Sequence, residues 1–219
     1  MLTRTNYESS LNELEKSILK MGGLVEEQIA LAVNALAKQD IELAESIEKR
    51  DDLIDELALE IEEYILKLIA TQQPIASDLR RISAGFKIII DLERIGDNAV
   101  DIAGAVLRIG NEPLIKPLID IPRMGEIARE MLQTALTAYI EKDVEKAESL
   151  SLRDDVVDKM HGQIIRELLT YMMEDPRKIK QGTLLMFVSR YLERIADHTT
   201  NIGENIIYQV TAERIMLND

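Results

Sequence analysis

The chain has 219 residues, 40 of them acidic and 26 basic, for a formal charge of -14 and a pI near 4.7. Such a balance repels nucleic acid and anionic bilayers as direct partners and favours cations and basic protein surfaces. Without cysteine there are no disulfides, thiolate metal sites or thiol catalysis. The opening MLTRTNYESSLNELEKS lacks the apolar core of a signal peptide, and no stretch approaches the roughly 18 uninterrupted apolar residues of a spanning helix. A soluble, cytoplasmic protein without membrane insertion is expected.

Aromatic residues make up only 4% and prolines number five, a composition that favours helix over sheet. Leu11, Leu14, Ile18, Met21, Val25, Ile29, Ala32 and Leu36 recur at helical spacing and predict a first helix from about Tyr7. Ala37-Lys38-Gln39-Asp40 reads as its exit turn, with Asp40 as N-cap of a second helix whose stripe is Ile47, Ile54, Ala58, Ile61, Ile65 and Leu68. That helix is expected to stop near Ala70-Thr71-Gln72-Gln73-Pro74. A third, carrying Leu79, Ile82, Phe86, Ile89, Val100 and Leu107, runs from about 75 to 109, and the breaker-rich GNEPLIKP at 110–117 marks a linker. Three further helices, at about 118–140, 143–173 and 177–216, repeat the plan, with Asp143 in the role of Asp40. The expected fold is all-α: two tandem three-helix bundles of antiparallel helices, residues 1–110 and 118–219, with a linker at 111–117.

The repeat is explicit in the residues. Positions 21–61 match 124–164 at an offset of 103, as in Met21/Met124, Arg50/Arg153, Asp51/Asp154, Asp52/Asp155 and Asp55/Asp158. LERIGDNAVDIA at 92–103 returns as LERIADHTTNIG at 192–203, an offset of 100, so three residues are missing near the last turn of the second copy.

In each half, carboxylates interrupt the apolar seam. Asp51 takes the stripe position between Ile47 and Ile54, and Glu93 lies on the stripe of the third helix; Asp154 and Glu193 do the same in the second half. Asp55, Asp158, Asp97 and Asp197 follow one turn later, and Asp101 and Asn201 extend the runs that start at Glu93 and Glu193. A carboxylate on a buried stripe needs a cation, a basic partner or water. Oxygen-only clusters of this density suit hard cations: calcium, magnesium, manganese or iron. The alternative is a solvated groove or an arginine-paired network, and Arg50, Arg94, Arg153 and Arg194 recur beside the acids to supply one.

The remaining candidates carry blander expectations. His161 and His198 have no counterpart in the first half and read as core or surface residues. Gly96, Gly104 and Gly203 read as sites of close helix packing. The histidines form no Glu-x-x-His pair, which weakens the reading of a di-metal carboxylate oxidase or hydrolase, and no nucleotide-binding or nucleophile motif is present. A regulatory adaptor and a purely structural helical protein remain beside it.

The doubled plan, with LERIGDNAVDIA, YLERIADHTTNIGENIIY and the two RDD-x-x-D segments, resembles the PhoU family over nearly the whole chain. That resemblance implies a cytoplasmic, non-enzymatic regulator of phosphate uptake that represses phosphate-starvation signalling. Its implied partners are the ATPase subunit of a phosphate ABC transporter and a phosphate-sensing histidine kinase, and the family behaviour implies a homodimer. The resemblance also implies surface metal clusters, with iron favoured and manganese, magnesium, calcium or zinc as other occupants. Carried onto this sequence, the ligands are Asp51, Asp55, Glu93, Asp97 and Asp101, then Asp154, Asp158, Glu193, Asp197 and Asn201. Asn201 stands where the first copy has Asp101 and lowers the charge of the second set. The family implies surface clusters, whereas the stripe positions imply partly buried acids.

Overall fold

A computed structural model describes residues 2–72 and 74–218, with side chains from Tyr7 onward. Gln73, in the expected stop after the second helix, lies outside the described residues. The first repeat consists of α1 (Leu2–Lys38), α2 (Ile41–Gln72) and α3 (Ala76–Ile109). The second consists of α4 (Asp120–Glu141), α5 (Val144–Glu148), α6 (Leu150–Glu174) and α7 (Ile179–Thr211), with a 3₁₀ turn at Pro176–Lys178 before α7. No strand occurs among the described residues.

The predicted stripes of α1 and α2 are buried at every member, because three long helices can hide their apolar faces only against each other. Asp40 and Asp143 cap as expected: Asp40 Oδ1 accepts from the Leu43 amide and Asp143 Oδ1 from the Lys146 amide, each at 3.0 Å. The expected single helix over 143–173 is instead broken at Ser149. There the Ser149 hydroxyl donates to the Lys146 carbonyl at 2.7 Å, but Ser46 makes the same bond to Leu43 in the unbroken α2. What differs is Ser151, which stands where the first copy has Glu48 and donates to the Glu148 carbonyl at 3.0 Å, a local bond that competes with the helical ladder. The final helix also ends earlier than expected. Ala212 adopts a left-handed φ of 65°, and the chain folds back so that the Leu217 amide reaches Glu204 at 2.8 Å.

The repeats join chiefly through α3 on α7 and secondarily through α1 on α4, and one contiguous apolar core runs through both. The α1/α4 contact is reciprocal under the 103-residue offset. A Cβ built on Gly125 would stand 2.5 Å from Val33 Cγ2, and one on Gly22 would stand 2.5 Å from Leu136 Cδ2. Each bare glycine is a socket for a side chain of the other repeat. Gly96 and Gly203 are packing positions too: a Cβ would meet Asp51 Oδ1 at 3.2 Å and Leu150 Cδ1 at 2.8 Å respectively, whereas Gly104 has nothing within 4 Å. Valine is stiff at χ1 and cannot swing aside, so Gly125→Ala should cost about 1–3 kcal/mol. Gly104→Ala should be neutral or stabilising by up to about 1 kcal/mol through helix propensity. Thermal melts of the two variants check this; equal midpoints would refute the socket.

The linker is held rather than slack. Gln39 Nε2 donates to the carbonyls of Gly110 at 3.2 Å and Glu112 at 2.8 Å. Gln181 clamps Pro113 and Ile115 from α7, and Lys116, whose side chain is 8% exposed, pairs with Glu167 and with Asp120.

Candidate functional site

The candidate carboxylates come from the middle of α2 and α3 in the first repeat and of α6 and α7 in the second. In the first, Asp55, Glu93 and Asp97 line a cleft of about 280 Å³ between α2 and α3, with Ala58, Leu59, Glu62, Phe86, Ile89 and Ile90 completing its walls. Asp51, close enough to feel Asp55 and Asp97, does not itself line the cleft. Its Oδ1 accepts a 2.7 Å hydrogen bond from Gln28 of α1, and the same amide donates to the Gly96 carbonyl at 3.3 Å. Burial raises the Asp51 carboxyl to about 6, against the opposing Gln28 bond and with help from Asp55 and Asp97. Burial also raises Asp55 and Glu93, and each is further raised by Asp97.

The second repeat holds two of these acids more deeply. Asp154 is 5% exposed and Glu193 8%, so the stripe positions are buried here. At the position equivalent to Gln28 stands Met131, which offers no amide. Asp154 Oδ1 consequently has no hydrogen-bond partner, and Glu193 Oε2 has none either, although the other oxygen of Glu193 meets Arg190. Burial, followed by Asp197 and Asp158, raises Asp154 to about 7, and burial and Asp197 raise Glu193 to about 7 despite the adjoining Arg190. Asp197 is raised as well, by burial and then by Asp158.

Asp101 and Asn201 lie elsewhere. Each four-residue step turns a side chain by about 40°, so the third member of the run 93-97-101 has rotated roughly 80° from the first. Asn201 reaches Asp91 across the α3/α7 seam at 3.4 Å, beside His198, whose Nδ1 lies 3.0 Å from the same oxygen. The pseudo-equivalent Asp101 acts on Tyr191 and is flanked electrostatically by Asp97, Arg194 and Arg108. His161 bonds to Ser189 Oγ at 2.9 Å, and burial lowers its pKa. Among the recurrent arginines, Arg50 pairs with Glu27 at 2.5 Å and Arg153 with Glu130 at 3.1 Å, equivalent pairs in the two repeats, while Arg94 pairs with Asp97 at 3.0 Å.

Two residues escaped the sequence reading. Gln28 stands seven after Met21, on the buried side of α1, and is 1% exposed; a polar residue at a core spacing was its signal. Arg190 contacts Glu193 and replaces Ile90 of the first copy, a difference visible at the 100-residue offset.

As a donor set these oxygens suit a hard cation, and the two orphaned oxygens of the second repeat are the kind of buried atom that a cation satisfies. Among the described residues, however, no three His, Asp or Glu side chains are gathered closely enough to hold a metal as they stand.

An internally duplicated all-helical protein, with a carboxylate-lined groove between the second and third helices of each repeat, is the class that fold and site define. The family model described as "PhoU domain" matches it twice, over residues 18–106 and 121–206. The chain belongs to the PhoU family. It is 46% identical over 219 residues to a protein of Clostridium acetobutylicum named a phosphate-specific transport system accessory protein PhoU homolog, covering all of both chains. A relative of the same name from Pseudomonas aeruginosa is 39% identical, with 93% of this chain and 85% of that one covered. The crystal structure of PhoU from Pseudomonas aeruginosa matches with a TM-score of 0.91 at 38% identity, covering 94% of this chain and all of that one. The crystal structure of the phosphate transport system regulatory protein PhoU from Streptococcus pneumoniae matches at 0.89 and 33% identity, covering 95% and 99%.

Proposed function

We propose that this chain is an accessory regulator of a phosphate-specific transport system. It restrains uptake and phosphate-starvation signalling through contacts with the transporter's ATPase subunit and with a sensor histidine kinase, in the cytoplasm and as a homodimer. The names of full-length relatives support the transport role. Among the described residues no helix is long and apolar enough to cross a membrane, which is compatible with action at the transporter's inner face.

The same reading assigns hard metal ions, iron foremost, to the duplicated carboxylates. The observation that carries it is the pair of buried oxygens without partners on Asp154 and Glu193. Asp51, Asp55, Glu93 and Asp97 would hold metal in the first repeat, and Asp154, Asp158, Glu193 and Asp197 in the second. The bound ion would supply the positive charge that relieves their mutual repulsion and would tie α2 to α3 and α6 to α7. Asp101 and Asn201 complete the set that the resemblance implies, but Asn201 is turned to Asp91 across the α3/α7 seam and Asp101 faces Tyr191, so the other eight carry the metal assignment.

Elemental analysis of native-purified protein, with and without alanine at Asp51, Glu93, Asp97, Asp154, Glu193 and Asp197, tests the metal claim. Stoichiometric iron or manganese is expected in the parent and loss of it in the variant. A phosphate-starvation reporter in cells carrying the folded variant is expected to be switched on at high phosphate. A variant that has lost its metal yet represses normally would leave the adaptor role and overturn the metal's part in it.

A further inference from the structure

The two grooves differ where their outer walls lie, and the difference identifies an occupant. In the first repeat Leu59 is 63% exposed and Ile90 42% exposed, on either side of the α2/α3 cleft, with half-buried Phe86 between them. Leu66, seven residues after Leu59, and Leu79, seven before Phe86, are also exposed and continue the apolar track toward the α2/α3 turn. Leu59 to Leu66 alone spans about 10 Å of helix, so the track matches two to three turns of an incoming helix. The charged residues that line the cleft are all acids, and Glu62 and Glu93 form no ion pair among the described residues.

The second repeat supplies its own cation at the matching place. By the two offsets Leu59, Glu62 and Ile90 become Gly162, Ile165 and Arg190, and the Arg190 guanidinium sits on Glu193. One acid of the wall is thereby exchanged for an apolar residue and another is neutralised from within. In the first repeat Glu62 and Glu93 form no ion pair among the described residues, although Arg94 beside Glu93 offsets part of its charge, and both flank an open apolar floor.

We infer that the outer α2/α3 groove, walled by Leu59, Glu62, Phe86, Ile90 and Glu93, docks a basic amphipathic helix of a partner protein. Apolar residues of that helix at i, i+3, i+4 and i+7 would enter the track, and its flanking Lys or Arg would meet Glu62 and Glu93, as Arg190 meets Glu193. An anionic membrane is repelled by the acidic rim, and a second copy that met this groove with its own α2/α3 face would bring acid against acid. The inference does not need the metal reading, although the two share Glu93: the apolar track of Leu59, Phe86 and Ile90 and the unshared Glu62 carry it without any ion.

The test uses the full chain in chelator, so that no metal contributes. The probe is a fluorescein-labelled 15-residue peptide of leucine and lysine with leucines at helical spacing, read by fluorescence anisotropy beside a scrambled peptide of equal composition. The amphipathic peptide is expected to bind at least tenfold more tightly than the scrambled one. Ile90→Arg, which copies the second repeat, and Glu62→Lys should each weaken it at least tenfold. Leu152→Arg, at a still more exposed leucine on α6, should leave it within twofold. Equal binding of the two peptides, or undiminished binding to both groove variants with unchanged melting curves, would overturn the proposal. So would a sedimentation change showing that Ile90→Arg breaks a dimer, because a second copy would then occupy the groove.

Discussion

In metal-free protein at pH 8, Asp154→Asn combined with Glu193→Gln should raise the melting temperature rather than lower it. Both carboxyls are pushed to about 7 in the folded chain, from ordinary values of 3.8 and 4.5. Between pH 4 and 7 the folded state therefore holds protons that the unfolded state has released. Stability contributed by the protonated forms is fully present below the unfolded pKa and is lost as pH rises through the folded one. A tenfold change in a proton's affinity is worth about 1.4 kcal/mol, but the two acids repel each other within one cluster and their contributions do not add, so the combined loss is about 2–4 kcal/mol. At roughly 2–4 °C per kcal/mol for a chain of this size, the double amide should melt about 5–10 °C above its parent at pH 8 and close to it at pH 4. The parent itself should become less stable as pH rises from 5 to 8 in chelator. Arg190 loses its charged partner in the variant but is half exposed and can hydrate. Manganese or ferrous ion should raise the parent's melting temperature at pH 8 and leave the variant unmoved, because a ligand stabilises only the state that binds it. A double variant that melts below its parent at pH 8 would mean that Asp154 and Glu193 are paired in a way their orphaned oxygens do not reveal.

Much of this was legible in the sequence because helix periodicity and burial are the same physical fact. The acids that interrupt the apolar stripes, Asp154 and Glu193, are buried where the stripe put them, and the aspartates at 40 and 143 cap as their place before a helical run required. The second repeat shows the burial that the stripe implied, and the first shows the groove surface that the family resemblance implied. What escaped was set by partners distant in sequence. That Asp51 is held by Gln28 depends on α1 crossing behind the α2/α3 pair, and periodicity within one helix carries no record of its neighbour's register. Spacing by four residues also overstates coincidence of direction. Asp101 and Asn201 share a run with Glu93 and Glu193 but have rotated onto the α3/α7 seam, where Asn201 meets Asp91. Gly104 looks like Gly96 and Gly203 in its helix, yet no neighbour approaches it. The break at Ser149 sets the second copy apart at Ser151, where the first has Glu48, because Ser46 makes the Ser149 bond in α2 without interrupting it; a serine hydroxyl enters that competition in many helices and wins it in few.

Gln181→Leu should be the most damaging single change outside the apolar core. Gln181 is 5% exposed at the start of α7, where its Oε1 accepts the Ile115 amide at 2.6 Å and its Nε2 donates to the Pro113 carbonyl at 3.1 Å. Leucine has nearly the same volume but neither function, so an amide and a carbonyl of the linker lose their partners at once. Both bonds are part-buried and Pro113 itself is exposed, so water recovers some of the about 1–3 kcal/mol that a fully buried unsatisfied group costs, and the expected loss is about 1–3 kcal/mol, or a fall of roughly 3–10 °C in melting temperature. The contrast with Gln39 isolates the cause. Gln39 also bonds twice to the linker, at Gly110 and Glu112, but one of those bonds is exposed, so water replaces part of what Gln39→Leu removes and that variant should lose less than half as much. Limited proteolysis distinguishes local from global effects: cleavage within residues 110–119 should accelerate in Gln181→Leu before the helices unfold. Uniform cleavage along the chain would mean that the linker unfolds only with the whole. An unchanged melting point would show that Lys116, through Glu167 and Asp120, fixes the linker without Gln181. The stake is functional, because this linker is the covalent joint between α3 and α4, and α3 and α7 carry the Glu93 and Glu193 clusters. A linker that slips lets α3 shift against α7, and the two acidic grooves then lose their fixed relation.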